Sequence, residues 1–376
     1  MMQVFFPLNR KKIEGYDIKT LTGRRPTRGD IGLEIECEGN KFQKSNEFLK
    51  PFWVHHIDHS LRGKDNAEYV LAEPIDFDTV PTAVMFLWDM FENYGTKLDE
   101  SNRTSVHAHL NVQRWNLNRL TSFCAMFFAL EEILSEWAGD HRVGNLFCLR
   151  AKDAPAIVTK LKKFIQFDGN FELTDGLHYA GLNIQALQKF GSLEVRYLRG
   201  ATQPQLVLDW VAILRRLYEQ SAIYPDPRDV LSLFSYEGPI NFFNTLLGPV
   251  ADIIHAGLPD WTREMISASL YEGIRMSQDL VYCRDWDLYQ PITVPDDPFG
   301  RLIRPKKSSE FSPMALSSYE IGGPTLPALN YLSINLSPGM PQEEPDFEPE
   351  PEEEYDPSED EEHGPSEDEE YIPDED

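Results

Sequence analysis

The feature that most constrains the fold of this chain is the alternation of apolar and acidic residues within residues 31–38. The apolar members of this segment are Ile31, Leu33, Ile35 and Cys37, and its acidic members are Glu34, Glu36 and Glu38. Successive side chains of a β-strand point to opposite faces of its sheet, so this spacing predicts a half-buried strand. We therefore expect a sheet with one apolar face, covered by other elements, and one open acidic face.

Two later segments repeat this alternation with other polar residues. One places His107 and His109 on the same strand face, opposite its apolar residues. The other places Glu194 and Arg196 on one face in the same way. If the three strands share a sheet, their polar faces meet on one surface that carries carboxylates, imidazoles and a guanidinium.

The rest of the pattern predicts an α+β domain over residues 31–285. Extended segments are predicted at residues 31–38, 67–72, 105–112, 178–184 and 192–198. Helices are predicted at residues 79–94, 116–137 and 203–221, with a short helix between the last two strands and a broken helical region at 226–285. This order indicates an antiparallel sheet with helices on one face and a functional site on the other.

The formal charge of −27 is concentrated at one end of the chain. Residues 337–376 contain 20 of the 62 acidic residues and no Lys or Arg, which leaves 42 acidic and 35 basic residues before them. We expect this end to be a disordered acidic tail that could bind a basic partner, because it has too few apolar residues to fold alone. Residues 1–30 are interpreted as a polar lead-in and residues 286–336 as a Pro-rich irregular segment.

Several classes of protein are not favoured. No apolar run approaches the roughly 20 residues of a membrane helix, and the first residues do not follow the order of a signal peptide, so a cytoplasmic location is expected. The four cysteines form no CxxC pair, which argues against a structural zinc site. The Rossmann and Walker glycine motifs are both absent, and no feature indicates a nucleic-acid partner.

The polar faces themselves suggest metal and phosphate chemistry. Glu34 and Glu36 would lie about 7 Å apart along one strand face, and hard cations such as Mg²⁺ or Mn²⁺ prefer carboxylate oxygens and bridge phosphates. Hydrolysis by zinc would need a tight set of three ligands instead. Each pair also has a simpler interpretation: a solvated strand face for the glutamates, a chance His-x-His, and a cross-strand ion pair for Glu194 with Arg196.

Five motifs then stand in an order that resembles the amidoligase family over roughly residues 30–220. They are GLEIE at 32–36, Asp58 with Ser60, EYVLAEP at 68–74, HAH at 107–109, and EVR at 194–196 followed by RGAT at 199–202. Members are carboxylate–amine ligases related to glutamine synthetase and glutamate–cysteine ligase, found in phages, bacteria and fungi. In a phage-encoded member the expected location is the host cytoplasm.

The resemblance implies a glutamine-synthetase-like sheet and an ATP-dependent ligase that phosphorylates a carboxylate and passes the acyl group to an amine. Its substrates would be amino acids, peptides, cell-wall components or modified bases. It implies that two or more Mg²⁺ or Mn²⁺ ions are held by Glu34, Glu36, Glu68, His107 and Glu194. It also implies that Arg196 neutralises the transferred phosphoryl group, and that His109 and Arg199 contact phosphate or the acyl substrate.

Two departures from the family pattern and two other functions stay open. Glu73 lies on the opposite strand parity from Glu68, and Thr104-Ser105 stands where the family has Cys-Gly. The chain could instead be a metal-dependent hydrolase that uses the two histidines at 107 and 109. It could also be an inactive binding or virion-associated protein that keeps the fold and uses its acidic tail.

Two further groups of polar residues have less specific interpretations. The histidines His55, His56 and His59 are interpreted as part of a solvated loop, with a metal site as the alternative. The second group surrounds Cys148 and would line a nucleotide or substrate pocket or lie at an ordinary loop–strand junction. Its members are Arg142, Asn145 and Arg150.

Overall fold

A computed structural model describes residues 27–62, 65–169, 173 and 179–284 of the chain. Over these residues the protein is an α+β fold in which helices cover one face of an antiparallel sheet. Most of the predicted lead-in, the Pro-rich segment at 286–336 and the acidic tail at 337–376 lie outside the described residues.

In the described part of the chain, one sheet contains seven strands. They are β1 (Ile31–Asn40), β2 (Trp53–His56), β3 (Asp65–Leu71), β4 (Lys97–Leu98), β5 (Ser105–Asn111), β6 (Leu182–Asn183) and β7 (Ser192–Arg199). Their order is β2-β3-β1-β5-β7-β6, with β4 paired to β1, and every pair is antiparallel. The predicted antiparallel sheet is confirmed, and the strands that carry the polar motifs, β1, β5 and β7, are direct neighbours.

The helices agree with the predicted ranges, apart from α1 and α4, which were not predicted. They are α1 (Asn46–Leu49), α2 (Val80–Tyr94), α3 (Leu117–Ala138), α4 (Pro155–Gln166), α5 (Ala186–Phe190), α6 (Pro204–Ile223), α7 (Pro227–Leu247), α8 (Ala251–Gly257) and α9 (Arg263–Val281). Single 3₁₀ turns lie at Phe77–Thr79, Asp140–Arg142 and Gly248–Val250. The region 226–285 was predicted to be helical with Pro and Gly breaks, and one break is a kink in α7, where Gly238 has a φ of 74° before Pro239.

The apolar face of the sheet is buried beneath α2 and α3. Tyr69 of β3 packs against Phe91 of α2 with ring centroids 5.4 Å apart, and Trp53 Nε1 donates a 2.8 Å hydrogen bond to Ala83 O. Helix α3 lies against β7 and is buried along most of its length, because α6, α7 and α9 cover its other sides. The opposite face of the sheet is left for the polar side chains.

Close packing of α9 on α3 depends on a glycine. A Cβ atom at Gly273 would lie 2.4 Å from Phe128 O and 2.5 Å from Ala129 O, closer than van der Waals contact permits. Ser277, one turn further along α9, donates a 2.7 Å hydrogen bond to Ala125 O. This contact buries α3 deeply and holds α9 close to it.

None of the helices in the described ranges combines the length and the apolar composition that a membrane span requires.

Candidate metal centre

The register of the three central strands brings their polar side chains into one group. Glu34 of β1 stands opposite His107 of β5. His109 stands between Gly32 of β1 and Glu194 of β7. Directly opposed residues share a face of the sheet, so the two imidazoles and the two carboxylates converge.

The distances within this group are those of side chains arranged around a common point. His109 Nε2 lies 3.1 Å from Glu34 Oε1 and 3.9 Å from Glu194 Oε1, and His107 Nδ1 lies 3.1 Å from Glu34 Oε2 and 3.6 Å from Glu194 Oε1. One possible ligand atom from each of Glu34, His109 and Glu194 lies within 4.8 Å of the others. Two ligands that each bond a metal ion at about 2.1 Å lie roughly 3–3.5 Å apart, so the pairs at 3.1–3.9 Å are close to the spacing around a single ion.

The charges in this group depend strongly on one another. Burial disfavours the ionised carboxylate of Glu34, but the neighbouring imidazoles of His107 and His109 hold its pKa well below the usual range. Burial also disfavours a charged His109, but Glu34 raises the pKa of that imidazole. Glu194 has a lowered pKa because the charges of Arg196 and the histidines outweigh its burial. The centre therefore holds carboxylates in the anionic form that a cation requires.

Two nitrogen atoms at the centre have no hydrogen-bond partner among the described residues. His109 Nε2 is buried without an aligned hydrogen bond, although it lies at ion-pair distance from Glu34. Arg196 Nε is also buried without a hydrogen bond. Buried polar atoms are normally satisfied in folded proteins, so a bound ion or phosphate at this point would supply the partners that these two atoms lack.

Glu194 is held from two sides. Arg196 Nη1 donates to Glu194 Oε1, and Asn183 Nδ2 of β6 donates a 2.6 Å hydrogen bond to Oε2. Glu194 and Arg196 therefore do form an ion pair, but within one strand and not across two strands as the simpler interpretation had it. The same contact also places the guanidinium at the edge of the cluster, where its side chain remains 21% exposed.

Glu36, which the family resemblance predicts as a metal ligand, lies behind His107 and outside the group formed by Glu34, His109 and Glu194. Its Oε2 accepts hydrogen bonds from Ser105 N at 2.8 Å and from Ser105 Oγ at 2.7 Å. Its Oε1 is 3.7 Å from His107 Nε2, on the side of the ring that faces away from Glu34. In this arrangement Glu36 supports His107 through Ser105.

Glu68 extends the acidic surface onto β3, directly opposite Glu36. Burial raises the pKa of Glu68 to about 7, and the negative charges of Glu34, Glu36 and Asp58 act in the same direction. Repulsion between carboxylates of this kind is relieved when a divalent cation binds among them.

Arg199 lies at the C-terminus of α3. Its Nη1 donates hydrogen bonds of 3.1 Å to Trp137 O and 3.0 Å to Ala138 O, where helix carbonyls lack partners within the helix. Within the described ranges, no hydrogen bond or ion pair joins Arg199 to Glu34 or His109. Its predicted contact with phosphate or acyl substrate stays a prediction.

A β-bulge shapes β7 beside the metal centre. The register between β5 and β7 shifts so that Arg196 and Tyr197 together stand opposite His107. Buried Arg142 donates from Nη2 to Arg196 O at 2.7 Å and from Nε to Tyr197 O at 3.1 Å. Since a bulge disrupts the regular ladder, these bonds stabilise the carbonyls at the irregularity. Arg142 thus acts on the backbone that carries Arg196.

The other residues around Cys148 have local roles. Arg150 pairs with Asp153 at 2.6 Å and with Glu132 at 3.4 Å. Asn145 accepts a 2.9 Å hydrogen bond from Phe147 N and so shapes its own loop. The contacts of these two residues therefore favour the interpretation as an ordinary junction.

The predicted histidine loop was wrong at its first two residues. His55 and His56 belong to β2, where His55 stands opposite Tyr69 and His56 stands opposite Glu68. His56 therefore shares the face of the acidic residues, while the ring of His55 packs at the edge of Tyr69. Glu73 is exposed in the bend that follows β3.

Sequence reasoning missed the serines that contact the histidines. Ser105 Oγ lies 2.8 Å from His107 Nε2, and Ser192 Oγ lies 3.2 Å from His109 Nδ1. Their strand parity was an available signal, because each is two residues from a predicted site residue on the same strand. Serine is so common on strand surfaces that parity alone gives it little weight.

In comparisons with known proteins, no family model, curated protein or solved structure matches the chain. The site is therefore interpreted from its own chemistry. The resemblance to the amidoligase family therefore stays a prediction. The geometry of Glu34, His107, His109 and Glu194 defines a candidate centre for a divalent cation.

Proposed function

We propose that this protein is an ATP-dependent carboxylate–amine ligase whose metal centre lies on the open face of a glutamine-synthetase-like sheet. The observation that carries the proposal is the convergence of Glu34, His109 and Glu194 within 4.8 Å. Arg196 stands beside this group as the cation that a phosphate would meet. Metal ligands beside an arginine are the parts that phosphoryl transfer requires.

Each residue has a distinct task in the proposed reaction. Glu34, His107, His109 and Glu194 would hold the divalent cation, which supplies charge neutralisation for ATP phosphates. Arg196 would bind oxygens of the transferred phosphoryl group through its Nε, which has no hydrogen bond to the described part of the chain. A substrate carboxylate would take the γ-phosphoryl group and release ADP, and an amine would then displace phosphate to form the amide.

A metal-dependent hydrolase is the second candidate, and one observation favours it. A hydrolytic zinc site needs three closely grouped ligands, and Glu34, His109 and Glu194 form such a group. In that case the same centre would cleave an ester, amide or phosphate bond without ATP. Arg196 would then serve to bind an anionic part of the substrate.

One experiment separates these functions. The full chain is incubated with ATP, Mg²⁺ or Mn²⁺ and pools of amino acids or short peptides, with hydroxylamine in place of the amine. A ligase releases ADP only with a carboxylate present, and it yields a hydroxamate because hydroxylamine captures the activated acyl group. A hydrolase instead cleaves peptide or ester substrates without ATP.

Two variants test whether the centre is responsible. Glu34→Gln should abolish turnover, because a neutral amide is a poor ligand for a divalent cation. Glu92→Gln, on the exposed surface of α2, makes the same chemical change away from the centre and should behave as wild type. Equal turnover by the Glu34 variant and wild type would contradict both proposed enzymes. Metal binding without any turnover would favour the inactive binding protein.

A further inference from the structure

The two histidines of the metal centre present different ring nitrogens to the same pair of carboxylates. His107 turns Nδ1 towards Glu34 and Glu194, at 3.1 and 3.6 Å. His109 turns Nε2 towards the same residues, at 3.1 and 3.9 Å. The two imidazoles therefore approach the centre in opposite senses, although they lie two residues apart on one strand.

A buried serine contacts the remaining nitrogen of each ring. Ser105 Oγ is 2.8 Å from His107 Nε2, and Ser192 Oγ is 3.2 Å from His109 Nδ1. Both serines are at least nine-tenths buried, with 4% and 6% of their surface exposed. The ring of Phe190 also meets His109 edge-on, with centroids 5.7 Å apart, which limits rotation of that imidazole.

The contacts of Ser105 fix the orientation of the His107 ring. Ser105 Oγ donates a 2.7 Å hydrogen bond to Glu36 Oε2 and lies 2.8 Å from His107 Nε2. Since the hydroxyl has a single proton and gives it to Glu36, its oxygen can accept the Nε2 proton of His107. A metal ion that takes the place of the Nδ1 proton then meets a nitrogen already directed at Glu34 and Glu194.

We propose that this centre prefers a divalent transition-metal ion such as Mn²⁺, Co²⁺ or Zn²⁺ over Mg²⁺, and that Ser105 and Ser192 are the positioning residues that create the preference. A mixed set of imidazole and carboxylate ligands suits these ions, because Zn²⁺ and Co²⁺ bind imidazole well and Mn²⁺ binds carboxylates while following the same order of transition-metal affinities. Mg²⁺ prefers oxygen ligands alone and gives up its water reluctantly. The inference rests on the metal centre of the proposed function and identifies the class of ion that fills it.

The test measures metal binding without ATP. The full chain is titrated with Mn²⁺ while electron paramagnetic resonance reports the free ion, and Mg²⁺ is then added as a competitor. We expect Mn²⁺ to bind at least about tenfold more tightly than Mg²⁺. Ser105→Ala and Ser192→Ala should each weaken Mn²⁺ binding by roughly 10–100-fold, the usual effect of losing a partner behind a metal ligand.

Ser101→Ala is the matched control. Ser101 Oγ donates a 2.7 Å hydrogen bond to Glu38 Oε2, so this variant removes a serine–carboxylate bond between the segment before β5 and strand β1 without touching an imidazole. Its Mn²⁺ affinity should equal that of wild type. Circular dichroism is used to check that each variant is folded. If a serine variant does not fold, pulsed electron paramagnetic resonance of wild type tests the inference instead.

Pulsed electron paramagnetic resonance of bound Mn²⁺ gives a second readout, because imidazole ligation produces nitrogen couplings. We expect these couplings in wild type. Their absence, Mg²⁺ binding as tight as Mn²⁺, or wild-type affinity in both serine variants would overturn the inference. Mn²⁺ binding with nitrogen couplings but no ADP release would support it and overturn the ligase. ADP release together with equal affinity for Mg²⁺ and Mn²⁺ would support the ligase and overturn the inferred metal preference.

Discussion

Glu131 of α3 should make the protein less stable as the pH rises towards neutrality. Its carboxyl group is fully buried beneath β7, where Tyr197 Oη donates to Oε1 at 2.7 Å and Ala151 N donates to Oε2 at 2.9 Å. Burial raises the pKa of Glu131 to about 7 from an ordinary value of 4.5, even though these hydrogen bonds and the charge of Arg150 oppose the shift. The folded protein therefore holds this proton more tightly than the unfolded chain does.

The sign and size of the effect follow from this difference. The stabilisation is fully present below pH 4.5, declines as the pH rises, and is lost once the pH passes about 7. Each pKa unit corresponds to about 1.4 kcal/mol, so the whole window amounts to roughly 3 kcal/mol. Between pH 5.5 and 8 the contribution of Glu131 to the free energy of unfolding should fall by about 2 kcal/mol.

Urea denaturation of wild type and Glu131→Gln across this pH range measures the effect. The glutamine cannot ionise, and it can accept from Ala151 N while donating to the oxygen of Tyr197. The difference in unfolding free energy between the two proteins should therefore shift by about 2 kcal/mol in favour of the variant as the pH rises. Glutamine should also leave the variant folded, since it matches the shape of glutamate.

Tyr197→Phe gives an independent check of the same reasoning. The tyrosine hydroxyl stabilises the ionised carboxylate, so its removal should raise the pKa of Glu131 further. The loss of stability should then occur at higher pH than in wild type. A difference between wild type and Glu131→Gln that stays constant from pH 5.5 to 8 would refute the argument, because it would show that Glu131 does not change its charge there.

Three further predictions concern the bulge in β7, the packing of α9 on α3, and turnover. Arg142→Lys should cost about 1.5–3 kcal/mol in urea denaturation, because one ammonium cannot replace the paired bonds to Arg196 O and Tyr197 O; an unchanged midpoint would contradict this. Gly273→Ala should destabilise by about 1–3 kcal/mol, since its Cβ would meet Phe128 O at 2.4 Å, and a higher melting temperature would show that α9 can shift. If the protein is the proposed ligase, Arg196→Lys should lower its rate of ADP release and leave the melting temperature unchanged, because lysine keeps the charge but loses the planar fork. Normal turnover would show that Arg196 is only the ion-pair partner of Glu194.

The strands and long helices could be predicted because their signals are local. Alternation predicted a strand at residues 192–198, and the strand runs over Ser192–Arg199. The apolar run at 116–137 predicted a helix that the structure places at Leu117–Ala138. In both cases the side chains that create the pattern also fill the core, so propensity and packing agree.

Elements that depend on distant partners could not be predicted in this way. Strand β2 spans only Trp53–His56, and it forms because β3 pairs with it and Trp53 donates to α2. The bulge in β7 depends on Arg142, which comes more than fifty residues earlier in the chain. Neither contact leaves a periodic pattern in the sequence.

The candidate centre shows the same division on a finer scale. Strand parity correctly indicates that Glu34 and Glu36 share a face, but it places them only to within the roughly 7 Å between alternate residues. Metal ligation needs atoms placed within a few tenths of an ångström, and that depends on cross-strand register and on the groups behind each ligand. Ser105 binds the carboxylate of Glu36 outside the group formed by Glu34, His109 and Glu194, whereas the antiparallel register places His109 within that group. A sequence pattern can therefore select the face on which chemistry takes place, but hydrogen bonds between distant segments determine which side chains reach the ion.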